Sequence, residues 1–184
     1  MGGEDKGLVE LAGRPMVDFV LDALRPQVGP VLINANRNTE RYAAYGYPVI
    51  NDVLQGYIGP LVGALTGLRQ LQTEFMVTVP CDAPLLAPDL VERLLEGCVA
   101  DDADVAVATD AKRLQPVFLL LRGRVAPALE SYLAAGGRKI DAWFDDVRVA
   151  TVDFSDRGDT FVNVNDADER HRVEQQLLRM QALR

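Results

Sequence analysis

Short apolar runs alternate with longer amphipathic stretches along the chain. Residues 31–36 and 75–79 are apolar enough to predict buried strands. Between the runs, apolar positions three and four residues apart predict helices. The further predicted strands are 49–51, 105–109, 116–121, 147–152 and 161–164, and the predicted helices are 15–24, 39–45, 60–71, 88–97, 125–135 and 167–180.

These patterns predict an α/β fold. Strands that alternate with helices through short connections are typical of βαβ units and of a mainly parallel sheet. Pro15, Pro60 and Pro88 each stand where a first helical turn would begin, a position that proline favours. Residues 1–184 contain neither an internal repeat nor a low-complexity linker, so we expect them to form a single domain.

Composition and charge argue against several classes of protein. The net charge is −8, whereas broad nucleic-acid binding needs an extended basic surface. No apolar run approaches the roughly 20 residues that cross a membrane, and the start is polar, so a cytoplasmic protein is expected. Cys81 and Cys98 form neither a disulfide framework nor a zinc motif. His171 is the only histidine, which argues against a Ser–His or Cys–His dyad.

Asp82 is the strongest candidate for a catalytic or metal-binding residue. Ligands of open α/β sheets bind outside the carboxyl ends of the strands, and Asp82 follows the apolar run 75–79. A carboxylate there suits Mg²⁺, which takes one or two protein carboxylates together with substrate phosphates. An Asp that caps a turn or a helix would show the same pattern, so both interpretations stand.

Short polar side chains also follow the apolar positions 31–33 and 49–50. Asn34 and Asn36 are two residues apart and share one face of a strand. Their amides can read a base edge or a ribose, or can simply serve a turn. Asp52 follows the run 49–51 and either enters the same site or begins the next loop.

The last apolar run ends in a second asparagine pair, Asn163 and Asn165, which also share a face. Asn165 or Asp166 suits the N-cap of the final helix, with an acidic residue three positions on to complete a capping box. The cap does not need Asn163, so a role in a ligand site and a role in capping are compatible.

Glycines near the start suggest contact with phosphate. Gly2 and Gly3 precede Lys6, and glycines let backbone N–H groups approach a phosphate while lysine supplies a point charge. The spacing is neither that of a Walker loop nor that of a dinucleotide fingerprint.

A second group of glycines surrounds the start of the predicted helix 60–71. Gly59 precedes it, and Gly63 and Gly67 lie four residues apart on one of its faces. Either a ligand at the helix N-terminus or close packing on the sheet explains such a stripe.

Several of these segments together resemble the molybdenum cofactor guanylyltransferase family. The resemblance covers nearly the whole chain, in the family's order. The segments are Met1–Leu8, Val31–Arg37 (VLINANR), Gly59–Gly63, Pro80–Pro84 and Val152–Asn165. The last segment and its asparagine pair are fairly specific to the family, whereas the first and fourth are shared with many nucleotidyltransferases.

The resemblance implies a Rossmann-like, three-layer nucleotidyltransferase fold with Mg²⁺ as cofactor. The substrates would be GTP and Mo-molybdopterin, the products molybdopterin guanine dinucleotide cofactor and pyrophosphate, and the further partners molybdoenzymes or their chaperones. The resemblance also implies roles for individual residues: Lys6 holds the GTP phosphates, Asn34 contacts the nucleoside, Asp52 helps to recognise guanine, Asp82 binds Mg²⁺, Asn163 and Asn165 lie by the reacting phosphates and the pterin, and Gly59 and Gly63 lie near the substrate.

Members of this family carry a strand and a Leu-Ala-Gly-Gly loop before the position of Met1, and we expect the sequence to be an incomplete version of such an enzyme. Two alternative functions stay open. One is a cytidylyltransferase that makes the cytosine dinucleotide cofactor, and the other is a non-catalytic molybdopterin-binding chaperone. Lys6 and Asp82 argue against the chaperone, because an adaptor has no need of a Mg²⁺ carboxylate.

Overall fold

The structure is a computed structural model that describes residues 5–54, 59–164 and 166–182. Gly2, Gly3 and Asn165 therefore lie outside the described residues. The strands are β1 (Glu10–Leu11), β2 (Arg14–Pro15), β3 (Ile33–Asn34), β4 (Val49–Ile50), β5 (Phe75–Thr78), β6 (Val105–Thr109), β7 (Leu114–Arg122) and β8 (Val149–Asp153). The helices are α1 (Met16–Leu24), α2 (Thr39–Ala43), α3 (Pro60–Leu68), α4 (Leu90–Ala100), α5 (Ala126–Ala134), α6 (Ile140–Phe144) and α7 (Ala167–Ala182).

The larger sheet has the strand order β5-β7-β6-β8. It is mixed and not mainly parallel as expected, because β7 runs antiparallel to both β5 and β6, while β6 and β8 are parallel. The cause is the tight turn between β6 and β7, where Asp110 Oδ1 accepts the backbone N–H groups of Lys112 (3.0 Å) and Arg113 (2.9 Å). So short a connection joins antiparallel strands. β5, β6 and β8 still run in one direction, so their carboxyl ends share one edge.

The predicted buried strand over 31–36 is wrong in length and in burial. β3 covers two residues and pairs in parallel with β4, with Ile33 opposite Val49, and Leu32 is 39% exposed. Among the described strands, β4 is the ladder neighbour of β3, so the segment is covered on one edge only. Helix α3 packs against both β3 and β5, so it links the β3–β4 ladder to the larger sheet.

The predicted strand over 161–164 is also wrong. A 3₁₀ helix covers Ser155–Phe161, and the backbone then continues without a ladder partner. Val164 donates its N–H to the backbone carbonyl of Asp82 at 3.3 Å. A hydrogen bond to the turn after β5 thus replaces strand pairing, and it joins this segment to the end of the sheet.

Hydrophobic clusters cover both faces of the larger sheet. Along β6, Ala106 and Ala108 belong to the cluster under α4, whereas Val105 and Val107 belong to the cluster under α3 and α5. This period of two is the pattern of a strand buried on both faces. The layers of helix, sheet and helix confirm the α/β fold class. Fully buried side chains in the two clusters include Leu90, Leu94, Phe118 and Phe154 on one side and Leu61, Leu65, Leu129 and Trp143 on the other.

Helix α7 braces the hairpin formed by β1 and β2. Leu11 and Met16 pack with Val173 and Leu177 of the helix, and the Glu174 carboxylate accepts the backbone N–H of Ala12 at 3.1 Å. The hairpin follows the 3₁₀ turn that carries Lys6, so the last helix packs on the segment next to that turn. Among the described helices, none has the length and apolar character of a membrane span.

Candidate active site

Lys6 and Asp82 form an ion pair at the carboxyl end of β5. The Lys6 Nζ lies 3.0 Å from Asp82 Oδ2, although the residues are 76 positions apart. Asp82 is only 7% exposed and caps none of the described helices. The structure thus brings together the two residues expected to carry the chemistry, and it does not support the interpretation of Asp82 as a helix cap.

Asn163 is linked to this pair through the backbone: its neighbour Val164 donates its N–H to the Asp82 carbonyl at 3.3 Å. The Asn163 Oδ1 atom is buried, and no donor among the described residues reaches it. A buried acceptor without a partner costs about 1–3 kcal/mol, so an unpaired amide oxygen at a sheet edge marks a place for a ligand or a metal ion. Asn165, its predicted companion, lies outside the described residues.

Asp5 anchors the turn that carries Lys6. Its carboxylate accepts the Tyr42 hydroxyl at 2.6 Å and the Asn38 side-chain amide at 2.9 Å, and the Arg37 Nε lies 3.6 Å from it. Sequence reasoning missed this group, because nothing in the pattern connects residue 5 to helix α2. The adjacent Gly7 is equally constrained: an added Cβ would lie 2.6 Å from the Tyr42 hydroxyl.

A second cluster forms where β3 and β4 end beneath the start of α3. Asn34 donates its amide to the Ile50 carbonyl at 3.2 Å, which leaves Oδ1 directed at Gly63. A Cβ on Gly63 would lie 2.6 Å from that oxygen and 3.9 Å from Asp52 Oδ1. Three of the predicted site residues therefore meet here, and the glycine is required by the close approach of the asparagine.

Asn36 holds Asp52 through two reciprocal hydrogen bonds. Its Nδ2 donates to Asp52 Oδ2 at 2.7 Å, and its Oδ1 accepts the Asp52 backbone N–H at 2.9 Å. The next N–H, of Val53, donates to the buried Thr66 hydroxyl at 3.0 Å. Asp52 Oδ1 is left buried without a donor among the described residues. Asn36 was expected to share a site with Asn34. In the structure it does so by binding the Asp52 carboxylate.

The glycines around α3 have different roles. Gly59 has a φ of +137° and directly precedes Pro60, and among the described residues no atom lies within 4 Å of the position of a Cβ. Gly67 faces the sheet, where a Cβ would lie 2.7 Å from the Met76 sulfur. Packing therefore explains Gly67 and a polar contact explains Gly63, whereas Gly59 serves the backbone turn.

The segment 34–38 joins the two clusters. Asn34 and Asn36 belong to the cluster beneath α3, while Arg37 and Asn38 contact Asp5 next to Lys6. One side of the resulting edge offers a cation and a carboxylate. The other side offers amide and carboxylate oxygens.

Other candidates from the sequence do not extend the site. His171 is exposed on α7, and Cys81 is also exposed. Within the described part of the chain, no group of three or more His, Cys, Asp or Glu side chains could hold a metal ion.

Comparisons with known sequences find the same family over most of the chain. The model of a family described as "MobA-like NTP transferase domain" matches residues 1–149. Proteins from Shewanella loihica and Shewanella sediminis, both named molybdenum cofactor guanylyltransferase, are 48% and 49% identical over 173 residues. The alignments cover 94% of this chain and 88% of each relative.

Comparisons with solved structures give the same fold. The molybdopterin-guanine dinucleotide biosynthesis protein A of Archaeoglobus fulgidus superposes with a TM-score of 0.81 at 21% identity, over 96% of this chain and 92% of that one. The 2-C-methyl-D-erythritol 4-phosphate cytidylyltransferase of Thermus thermophilus superposes with a TM-score of 0.73 at 15% identity, over 94% of this chain and 93% of that one. At such identities the likeness concerns the fold alone.

Proposed function

Because the chain belongs to the MobA-like NTP transferase family and, within it, to the molybdenum cofactor guanylyltransferases, we propose that it transfers GMP from GTP to the terminal phosphate of Mo-molybdopterin. The products are molybdopterin guanine dinucleotide cofactor and pyrophosphate. The observation that carries the assignment of the site is the Lys6–Asp82 pair at 3.0 Å, beside the oxygen-rich cluster beneath α3. In this proposal the protein is a cytoplasmic enzyme that consists of one domain.

The reaction needs little covalent chemistry from the protein. A phosphate oxygen of molybdopterin attacks the α-phosphorus of GTP, a new P–O bond forms, and the bond to the bridging oxygen of pyrophosphate breaks. Such transfers depend on positioning and on neutralising charge. The described site, with a lysine, a buried carboxylate and side-chain amides, is suited to this and requires no histidine base.

Lys6 is the residue that holds the phosphates in this proposal. Its ammonium pairs with Asp82, and a triphosphate would compete with that carboxylate for the same cation. Its side chain is 42% exposed, whereas that of Asp82 is 11% exposed. Lys6 can therefore turn to an incoming phosphate, while Asp82 stays fixed at the strand end.

The donors around Asp82 fit a magnesium ion. Asp82 offers one carboxylate, and the buried Asn163 Oδ1 is a further oxygen without a donor among the described residues. Mg²⁺ commonly takes one or two protein carboxylates and completes its shell with phosphates and water. Bound there, Mg²⁺ would neutralise the negative charge that develops on the departing pyrophosphate.

The cluster beneath α3 suits guanine. Asn34 Oδ1 and Asp52 Oδ1 are both hydrogen-bond acceptors beside Gly63, and the guanine edge presents two neighbouring donors, N1–H and the 2-amino group. A site built from acceptors rejects a base that lacks the donors, because the buried Asp52 oxygen would stay unpaired. This arrangement favours GTP over CTP as the nucleotide.

A competition assay tests the proposal. The full chain is incubated with Mo-molybdopterin, Mg²⁺ and equal GTP and CTP, and the dinucleotide product is identified by mass spectrometry. We expect the guanine dinucleotide and pyrophosphate in equal amounts. A cytosine dinucleotide would assign the chain to cytidylyl transfer. Binding of molybdopterin without Mg²⁺-dependent GTP binding or turnover would leave the non-catalytic chaperone instead.

A further inference from the structure

Asp5, next to Lys6, is held by a buried hydroxyl that the proposed reaction does not use. Tyr42 is 3% exposed, and its hydroxyl donates to Asp5 Oδ1 at 2.6 Å. Burial and this hydrogen bond raise the pKa of Tyr42 well above its ordinary value, so the hydroxyl keeps its proton. From this geometry we propose that Tyr42, through Asp5, is a positioning residue for Lys6, an inference that rests on the proposed contact between Lys6 and the GTP phosphates.

The carboxylate of Asp5 is occupied from both sides. Tyr42 donates to Oδ1, while Asn38 donates to Oδ2 at 2.9 Å and the Arg37 Nε lies 3.6 Å from the same oxygen. The Asp5 side chain is only 12% exposed. These contacts fix the backbone one residue before Lys6. Without them, the Asp5 carboxylate would need other hydrogen-bond or cationic partners.

The residue after Lys6 is fixed as well. Gly7 is buried, and a Cβ there would lie 2.6 Å from the Tyr42 hydroxyl and 3.1 Å from the Cys81 Cβ. The turn therefore rests directly on the residue that precedes Asp82. Because the residues on both sides are held, the backbone of Lys6 is fixed, and its side chain extends from a defined position beside the Asp82 carboxylate.

This arrangement couples the two clusters of the site. Arg37 and Asn38, which contact Asp5, follow directly in the chain on Asn34 and Asn36 of the cluster beneath α3. A displacement of about 1 Å in a reacting group can cost about a hundredfold in rate. Tyr42 thus lets the segment that reads the nucleoside set the position of the cation that holds the phosphates.

The chain contains a matched control for this inference. Tyr45 also donates its hydroxyl to a carboxylate at 2.6 Å, that of Asp18, and Arg14 lies 3.4 Å from the same side chain. Burial and this hydrogen bond raise the pKa of Tyr45 to about 12. The two pairs have the same chemistry, but the Asp18 carboxylate lies in α1 and pairs with Tyr45 and Arg14, whereas Asp5 directly precedes Lys6.

The test measures GTP affinity in Mg²⁺ by calorimetry, and turnover, for the full chain with Tyr42→Phe or Tyr45→Phe, each with and without Lys6→Ala. We expect Tyr42→Phe to weaken GTP binding about tenfold, the order of one charge-assisted hydrogen bond, and less than twofold when Lys6 is already alanine. Gly7→Ala should reproduce the effect of Tyr42→Phe. Tyr45→Phe should lower the melting temperature to a similar extent and leave GTP affinity unchanged.

Two outcomes would overturn the inference. Equal effects of the two Tyr→Phe changes on GTP affinity, or an effect of Tyr42→Phe that persists in Lys6→Ala, would make Tyr42 a structural residue only. In either case a wild-type protein that binds GTP in a Lys6-dependent manner would still support the proposed function. Failure of the wild type to bind GTP, or binding insensitive to Lys6→Ala, would count against the proposed function, and the inference would fall with it.

Discussion

Two groups of charged side chains lie at opposite edges of the larger sheet, and they differ in how completely they are paired. At the amino ends of β6 and β8, Arg148 donates to Asp102 at 2.6 Å and to Asp104 at 3.1 Å. Arg124 also donates to Asp104, at 2.6 Å. This edge is a closed network of ion pairs, and its arginines are about half exposed, with side-chain exposures of 51% and 55%.

The edge at the carboxyl end of β5 is not closed in this way. Asp82 is buried beside a partly exposed lysine, and the described residues provide no donor for the buried oxygens Asn163 Oδ1 and Asp52 Oδ1. Charges that the protein itself pairs need no ligand to complete them. Polar groups that are buried and incompletely paired cost stability, and they are expected where a ligand supplies the missing partners.

The largest difference between the edges should appear when the buried carboxylate is neutralised. Asp82→Asn keeps the shape of the side chain but removes the charge that would bind Mg²⁺. We expect turnover to fall by at least about a hundredfold, because charge stabilisation is the main contribution in such sites, while the protein stays folded. Turnover assays and circular dichroism measure the two effects. Unfolding of Asp82→Asn would show that this carboxylate is a structural residue.

Removal of the cation should have a smaller effect, on binding. Lys6→Ala deletes the group that would contact the GTP phosphates, and one charge-assisted hydrogen bond is worth about 1.5–3 kcal/mol. We expect GTP affinity to fall by about tenfold or more, with the sharpest loss at low ionic strength, where charges are least screened. Unchanged GTP affinity across a salt series would contradict the role given to Lys6.

Substitutions in the cluster beneath α3 should change the preference between nucleotides more than they change the rate of turnover. Asn36→Ala releases the Asp52 carboxylate, so we expect the preference for GTP over ITP, which lacks the 2-amino donor, to fall by about tenfold. Asn51→Ala is the matched control, since Asn51 donates at 2.8 Å to the backbone carbonyl of Ala35 and leaves Asp52 untouched. Equal loss of preference in the two variants would remove the special role of Asn36.

The paired edge should give the smallest effect, in stability and not in activity. Hydrogen bonds from Arg148 and Arg124 lower the pKa of Asp104 to about 2. Because the folded carboxylate is more acidic than the unfolded one, its stabilisation is present above about pH 4 and is lost as the pH falls towards 2. We expect Asp104→Asn to lower the free energy of unfolding by under about 1 kcal/mol, since solvent screens such pairs.

Urea unfolding at a series of pH values measures this effect, and the difference from the wild type should vanish at the acid end. Turnover should be unchanged at neutral pH. A loss of GTP turnover in Asp104→Asn would show that the two edges are not as separate in function as they are in pairing.

Much of the scaffold could be predicted from the sequence. The helices beginning at Pro60 and near Pro88, and the strands 105–109 and 116–121, lie close to where the periodicity placed them. The weaker predictions were those for segments that depend on distant partners. The run 31–36 is apolar, but with β4 as its described neighbour it forms a ladder of only two residues, and 161–164 bonds to a turn.

Within the site, the sequence by itself determined which residues stand at the ends of strands. The pattern of apolar runs located Asp82, Asn34 and Asp52 at an edge of the sheet, because a parallel run of strands brings its carboxyl ends together. The strength of this inference is that it needs only local periodicity. It selects candidates, and it leaves open which of them touch.

Only the tertiary structure decided the pairing. Lys6 meets Asp82 across 76 positions and Tyr42 meets Asp5 across 37, and no local pattern records contacts at such separations. The same holds for the choice between Asn34 and Asn36: both share a face of the strand, yet one amide is aimed at Gly63 and the other clamps Asp52. Side-chain hydrogen bonds depend on distances of a few tenths of an ångström, which are set when the sheets, α2 and α3 pack together.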